Sequence, residues 1–327
     1  MKNTGIMVVG GAGYIGSLVA MRLLKEYSSV AVLDDLSTGN RAALSEGIEF
    51  HEGDIGDDSL LEKIFSSGKI GVVMHFAAKI QVGESVARPD IYYRNNVAKP
   101  LVLLGAMLRH GIKKFVFSST AAVFGNPEYL PIDERHPTRP INPYGRSKLM
   151  LEMILRDYDQ AFGIKSVALR YFNAAGAASD GSLGESQKVK QNLIPIVLNS
   201  IEHNLPITVY GKDWDTRDGT CIRDYIHVED LASAHLKAVE YLDDGGCSEV
   251  FNLGSGHGST VLEVINAVRK ATGRELDVRM GARREGDPSN LVSTSEKAMS
   301  VLGWEAVESG IENIVCSAAS WHFNRRF

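Results

Sequence analysis

A cluster of glycines constrains this chain more than any other feature. Gly10-Gly11-Ala12-Gly13-Tyr14-Ile15-Gly16 lies between apolar Ile6-Met7-Val8-Val9 and the periodic run Leu18-Val19-Met21-Arg22-Leu23-Leu24. The first run is too short for a helix and suits a buried strand, whereas the second has helical spacing. A second apolar strand, Val30-Ala31-Val32-Leu33, ends at Asp34-Asp35. Strand, glycine turn, helix, strand and acid make one ordered unit. The glycines permit a tight turn and close approach of backbone to a pyrophosphate, and the helix start offers unpaired N–H groups and a positive dipole end. Asp34, about 20 residues on, is placed to accept from ribose hydroxyls. A glycine turn alone could be purely structural; the assembled unit points to a dinucleotide. The Asp34 carboxylate would repel a 2′-phosphate, so NAD is favoured over NADP, with Arg41 arguing weakly the other way.

The rest of the chain excludes several classes. With 327 residues there is room for about two domains or one large α/β unit. The net charge of -5 argues against a nucleic-acid or membrane-surface role. Cys221, Cys247 and Cys316 are too widely spaced for a metal cluster or a disulfide framework, so no metal is expected and a reducing cytoplasm fits. The N-terminal residues lack a signal-peptide layout. Glycines interrupt the uncharged run from Asn3 to Met21, which therefore reads as strand and turn rather than a membrane helix.

Strands then alternate with helices. Ile48–His51, Val72–Phe76, Lys113–Phe117 and Ser166–Arg170 read as strands, and Ser59–Phe65, Asn95–His110 and Tyr144–Phe162 as helices. This alternation predicts an α/β fold with a doubly wound parallel sheet of Rossmann type. Pro127–Pro143 is a proline-rich loop and Asn173–Lys190 a long Gly/Ala/Ser loop. Beyond it, strands are expected at Ile207–Tyr210, Glu249–Asn252 and Leu276–Arg279, with helices at Leu193–His203, Asp230–Leu242 and Val261–Ala271. The expected division is a dinucleotide-binding domain over 1–172 and a smaller C-terminal α/β substrate domain over 173–327, with segments near 220–255 free to return to the main sheet. Asp54 reads equally as a partner for the adenine amino group, with Ile55 beneath the ring, or as a turn residue. The small residues Ala77-Ala78 leave room for a ligand at a strand end.

Tyr144 and Lys148 are spaced i, i+4 at a helix start and share a face. An ammonium beside a phenol stabilises the phenolate, which could then act as a base near neutral pH. Alone, such a pair is commonplace; downstream of a dinucleotide turn and of Ser118-Ser119-Thr120 it reads as chemistry. The Thr120 hydroxyl can orient a substrate hydroxyl and relay its proton.

These motifs together resemble the extended short-chain dehydrogenase/reductase family, and within it the UDP-hexose 4-epimerases. The resemblance covers nearly the whole chain. It rests on the Gly10–Gly16 turn, His75-Phe76-Ala77-Ala78, Val82-Gly83-Glu84-Ser85, Tyr144-Gly145-Arg146-Ser147-Lys148 and Arg170-Tyr171-Phe172-Asn173. It continues through Asp218-Gly219-Thr220, Arg223-Asp224-Tyr225-Ile226-His227-Val228 and Arg283-Arg284-Glu285-Gly286-Asp287. It implies that Thr120, Tyr144 and Lys148 are catalytic. NAD would rest on Gly10, Gly13, Tyr14, Ile15, Gly16, Asp34, Asn40, Asp54, Ile55, Phe76, Ala77, Asn95, Tyr144, Lys148 and Tyr171. The UDP-hexose would be held by Thr120, Asn173, Asn192, Leu193, Tyr210, Arg223, Tyr225, Arg284 and Asp287, with Leu291 lining the hexose pocket. Two arginines can clamp a diphosphate with forked bonds.

The implied reaction is inversion at C4 of the hexose by oxidation, turning of the 4-keto sugar, and re-reduction. The sugar accepted could be plain, N-acetylated, a uronate or a pentose, and Leu291 could instead pack in a core. Related sugar dehydratases carry acidic residues after the strand-end Thr, where this chain has Ala121-Ala122. A catalytically silent NAD sensor is opposed by intact Thr120, Tyr144 and Lys148. Thr120 stands where many relatives have Ser, Phe124 replaces a frequent Tyr, and Ile80 occupies the place of a cofactor-contacting Lys in some. A homodimer built on Asn95–His110 and Tyr144–Phe162 is expected from their excess apolar surface.

Overall fold

The computed structural model describes residues 2, 4–186, 190–284 and 287–327. It resolves into two compact units that the chain visits alternately: Met1–Asn126, Pro137–Arg170 and Ala232–Phe251 in one, Pro127–His136, Tyr171–Leu231 and Asn252–Phe327 in the other.

The first unit is built on strands β1 (Gly5–Val9), β2 (Val30–Asp34), β3 (Glu49–Glu52), β4 (Ile70–His75), β5 (Lys114–Thr120) and β6 (Lys165–Tyr171), with α1 (Tyr14–Leu23), α2 (Asp58–Phe65), α3 (Val82–Ala87), α4 (Pro89–Tyr93), α5 (Lys99–Arg109) and α6 (Pro143–Phe162). The strand order is β3-β2-β1-β4-β5-β6, and a seventh strand, Glu249–Leu253, pairs with β6. The pairs β1–β2, β2–β3, β1–β4 and β4–β5 are parallel. This is the doubly wound sheet expected from the alternation of elements. Its winding reverses between β1 and β4, and open α/β sheets bind ligands in the crevice beyond such a point. β1 and β2 are buried at every residue, hence their unbroken apolar sequence. One face packs Met7, Leu33, Val73, Phe115 and Phe117 against Leu61, Phe65, Leu104 and Leu155. Truncating one such Phe to Ala costs about 3–5 kcal/mol.

The predicted helix Asn95–His110 is in fact the end of a longer run. Between α4 and α5 the chain widens into one π turn, Arg94–Ala98. The buried Asn96 in that turn accepts the Lys79 N–H and donates to the Lys79 carbonyl, both at 2.9 Å, and donates to Ser147 Oγ at 3.0 Å. Single π turns of this kind recur at functional sites.

In the second unit Ile222–His227 is the central strand. It pairs antiparallel with Gly258–Thr260 and parallel with Asn290–Leu291 and Asn173–Ala175. A separate parallel pair joins Ile207–Tyr210 to Val278–Gly281. Helices Leu193–His203, Val261–Thr272 and Ile311–Phe323 pack their apolar faces on a core that includes Val197, Ile201, Val209, Tyr225, Ile265 and Ile314.

Several expectations need correction. Asn173–Lys190 is not simply a loop: it opens with a strand, and Ala177 bridges Gly184, while residues 187–189 lie outside the described residues. The strand placed at Leu276–Arg279 runs Val278–Gly281. The strand expected at Glu249–Asn252 runs Glu249–Leu253 and joins the main sheet, the return left open for segments near 220–255. Ile222–His227 was hidden as a strand because it buries a charge. Asp224 is fully buried and accepts the Ser255 N–H at 2.8 Å, the Ser255 hydroxyl at 2.6 Å and the Ser293 N–H at 3.2 Å. Among the described residues, no helix is long and apolar enough to cross a membrane.

Candidate active site

The glycine turn leaves β1 with Gly10 at φ +78, a left-handed conformation that favours glycine. A Cβ on Gly10 would stand 2.5 Å from the Ala77 nitrogen, and one on Gly16 would stand 2.4 Å from the Gly10 carbonyl oxygen. Backbone therefore packs on backbone with no room for side chains. Gly13 caps α1 without a side-chain bond, and the first turn of the helix carries no acidic residue of its own. Tyr14 and Ile15 open the helix, each half-buried. Burial raises the pKa of the Asp34 carboxyl above its usual value, and the N–H bonds from Leu36 and Ala12 pull it back. The Asn40 side chain accepts the Ala42 N–H at 3.0 Å, and its backbone N–H reaches the Ala12 carbonyl at 2.9 Å. The Phe76 ring lies 4.6 Å from that of His235, tilted by 36°, and the Phe76 and Ala77 N–H groups both donate to the Val9 carbonyl. A tight uncapped turn, a buried acid and a small residue across from it fit a dinucleotide.

Other members of the expected cofactor set already have partners. Asp54 pairs with Lys99 and accepts the Gly56 N–H at 2.7 Å, as a turn residue does. Ile55 is buried within the hydrophobic core. Asn95 donates to Asn96 Oδ1 at 3.1 Å, and Tyr171 ends β6, half-buried.

The three expected catalytic residues converge at the end of β5. Asn142 caps α6 by accepting the Gly145 N–H at 2.9 Å, and Pro143 takes the first helical position. Gly145 lets this turn touch the end of β5: a Cβ there would stand 2.4 Å from the Ala122 carbonyl oxygen. Tyr144 adjoins the buried Thr120, whose Oγ1 accepts the Ala122 N–H at 3.2 Å. Burial pushes the pKa of the Tyr144 phenol up, and the Thr120 hydroxyl lowers it. The Lys148 ammonium is not spent on that phenol. It donates to the Ser118 carbonyl at 2.8 Å and stands 4.8 Å from the centre of the Phe117 ring. Burial brings the Lys148 pKa down to about 7, against the pull of Glu152. His75, stacked on Phe117, is held at about 3 by burial and by the Lys148 charge.

The expected nucleotide-sugar residues lie in the second unit. Asn173 donates to the Asp224 carbonyl at 2.9 Å. Asn192 precedes the helix that Leu193 begins; instead of capping it, its amide reaches the Glu185 carboxylate at 3.3 Å. The Arg284 guanidinium lies 3.9 Å from the centre of the Tyr210 ring. Arg223 donates to the Ile222 carbonyl at 2.8 Å and to Asp287 at 3.5 Å, and Tyr225 is buried beside it in the strand. Leu291 is half-buried, in register with Arg223. Glu285 and Gly286 of the last motif lie outside the described residues.

The profile of the NAD dependent epimerase/dehydratase family matches residues 6–254, a stretch that holds the glycine turn, Thr120, Tyr144, Lys148 and Arg223. The chain belongs to this family. It is 48% identical to the UDP-glucose 4-epimerase of Lacticaseibacillus casei over 98% of this chain and 97% of that one. The solved structure of UDP-glucose 4-epimerase from Brucella ovis in complex with NAD superposes with a TM-score of 0.95 at 45% identity, covering 98% of each chain. That from Bifidobacterium longum in complex with NAD+ and UDP gives 0.92 at 41%, covering 98% of this chain and 99% of the other. Membership in an NAD-dependent family accords with the fit of the turn and of Asp34 to that cofactor. The sequence reading missed Asn96, His75, Glu152 and Arg170 as buried polar supports of the family's site. One signal was present: Glu152 follows Lys148 by four, as Lys148 follows Tyr144.

Proposed function

We propose that this chain interconverts UDP-glucose and UDP-galactose by oxidising and re-reducing C4 of the hexose. The observation that carries this reading is the convergence of Thr120, Tyr144 and the buried Lys148 at the end of β5, with Lys148 donating to the Ser118 carbonyl. Tyr144, as phenolate, takes the proton of the C4 hydroxyl, and Thr120 orients that hydroxyl through its own. Lys148, while protonated, supplies a positive charge that favours the phenolate. A bound NAD would supply the hydride acceptor for C4 oxidation and the donor for its re-reduction. Tyr144 then gives the proton back, so the enzyme ends each turnover unchanged.

In this reading the first unit binds NAD and the second binds the uridine diphosphate. Arg223 and Arg284 clamp the diphosphate, assisted by the uncapped helix start at Asn192–Leu193; Tyr210 and Tyr225 serve the base, Asp287 its ribose, and Asn173 and Leu291 the hexose side. Tight binding of the nucleotide with loose binding of the hexose allows the ketose to turn. The alanines after Thr120 sit in a 3-10 turn, Ala121–Val123, and carry no group for the proton transfers of dehydration.

The same reading includes a homodimer through α5 and α6, on which Leu101, Met150 and Met153 are exposed apolar side chains. Light scattering at micromolar concentration tests it, a monomer mass refuting it. The three cysteines are free thiols, which suits a cytoplasmic setting. The direct test of the activity is incubation with UDP-galactose followed by separation of the UDP-hexoses. UDP-glucose should form, and Tyr144→Phe should form it at least ~100-fold more slowly with NAD still bound. Failure of the unaltered protein to form it would refute the assignment.

A further inference from the structure

Tyr144, Lys148 and Glu152 follow one another at i, i+4 and i+8 on α6 and share a face. Glu152 and Arg170 are both buried. Arg170 donates its Nε to Glu152 Oε1 at 3.0 Å and its Nη2 to Oε2, and the Ser119 hydroxyl donates to the same Oε1. The guanidinium also lies 5.1 Å from the centre of the Phe124 ring. Three successive residues at the end of β5 thus address three groups on one helix face. The Ser118 carbonyl takes Lys148, the Ser119 hydroxyl takes Glu152, and the Thr120 hydroxyl adjoins Tyr144 and lowers its pKa. A buried ion pair is a poor device for stability, because desolvation offsets most of its attraction. A role in setting the geometry and charge of the site accounts for it better.

We propose that Glu152, held by Arg170 and Ser119, is a positioning residue for the acid–base pair: it fixes the end of β5 against α6 and supplies the negative charge facing the Lys148 ammonium. The inference rests on the reading of Tyr144 and Lys148 as that pair. The other groups around Lys148 do not substitute for this charge. His75 from β4 is neutral, its protonated form disfavoured by burial and by the ammonium. Tyr144 is a raised phenol, and Arg170 of β6 adds positive charge once Glu152 is lost. On α3 and α4, Glu84 accepts the Tyr92 hydroxyl at 2.8 Å, and Tyr92 interacts with Tyr144.

Glu152→Gln keeps the shape and removes the charge, leaving Arg170 uncompensated. Lys148 should then lose its proton at lower pH, so the alkaline limb of the kcat–pH profile should move down by about one unit, with kcat reduced roughly tenfold and KM for UDP-galactose unchanged. Ser119→Ala retains the charge and should lower kcat without moving the limb. If Glu152→Gln does not fold, the apolar double variant Glu152→Leu/Arg170→Met should fold and show a downward shift. A folded Glu152→Gln with an unmoved limb overturns the proposal, as does failure of both variants to fold, which would make the pair structural. Tyr144→Phe is measured alongside. Near-normal turnover there would remove the premise; an inactive Tyr144→Phe beside an unshifted Glu152→Gln would overturn this inference alone.

Discussion

The Asp34 carboxylate accepts the Ala12 N–H at 2.9 Å, tying the acid at the tip of β2 to the floor of the glycine turn. Its other oxygen takes the Leu36 N–H, also at 2.9 Å. The same group therefore shapes the turn and presents negative charge beside it. Asp34→Asn places an amide where an acceptor is needed and removes the charge. NAD binding should weaken about 10–100-fold, the scale of one charged hydrogen bond, while NADP loses less. Calorimetric titration with both cofactors checks this, and an unchanged ratio of the two affinities would count against Asp34 as the discriminating acid.

Gly145 and Gly163 make opposite predictions at the two ends of α6. Gly145→Ala drives a methyl into the Ala122 carbonyl and moves Tyr144 away from Thr120, so kcat should fall by about 100-fold, the cost of a misplacement near 1 Å. Gly163 ends the helix at φ +69, and a Cβ there would meet open space among the described residues. Gly163→Ala should cost about 1–2 kcal/mol of stability and leave kcat alone. Denaturant melts and steady-state rates on both variants separate the two effects.

His75 should make the protein sensitive to mild acid. The unfolded imidazole takes up a proton near its ordinary 6.5, whereas the folded one refuses it until about 3. The unfolded state thus binds more protons in between. The His75 contribution is intact above 6.5 and is lost as pH falls toward 3, at about 1.4 kcal/mol per unit. His75→Leu should flatten stability against pH between 6.5 and 4.5 by that slope. Urea midpoints across this range measure it, and an unaltered slope would show that other groups carry the acid response.

Leu291 stands in register with Arg223 and is half-buried. The proposed function gives Leu291 a place in the wall of the hexose pocket, where it would limit what can turn. Leu291→Tyr should lower turnover of UDP-N-acetylglucosamine relative to UDP-galactose by about 10-fold or more, the scale of a filled pocket position. Rates on both sugars in both proteins give the ratio, and an unchanged ratio removes Leu291 from the pocket.

Where local patterns dominate, the sequence was legible. β1, the glycine turn, α1 and β2 follow from apolar runs and glycine spacing, and the Tyr144–Lys148 pair from helical periodicity. What remained hidden depends on tertiary burial of charge. Asp224 broke the apolar pattern of its strand because Ser255 and Ser293, distant in sequence, satisfy it. Glu152 was not singled out because Arg170, the partner that explains its burial, lies beyond the end of its helix, on β6. The π turn at Arg94–Ala98 has no periodic signature, since its width accompanies the bonds Asn96 makes to Lys79 and Ser147.

The seventh strand of the main sheet has a consequence for biogenesis. Glu249–Leu253 pairs with β6, yet it is synthesised only after the strands and helices that follow Tyr171. Until it emerges from the ribosome, β6 is an open edge with unpaired N–H and C=O groups, the kind of edge that recruits foreign strands. A fragment ending at residue 172 would carry that edge permanently. The two units are written into the gene as interleaved text, so neither can be excised, swapped or duplicated as a cassette; nascent chains stalled between β6 and Glu249 should be the ones that need protection from aggregation.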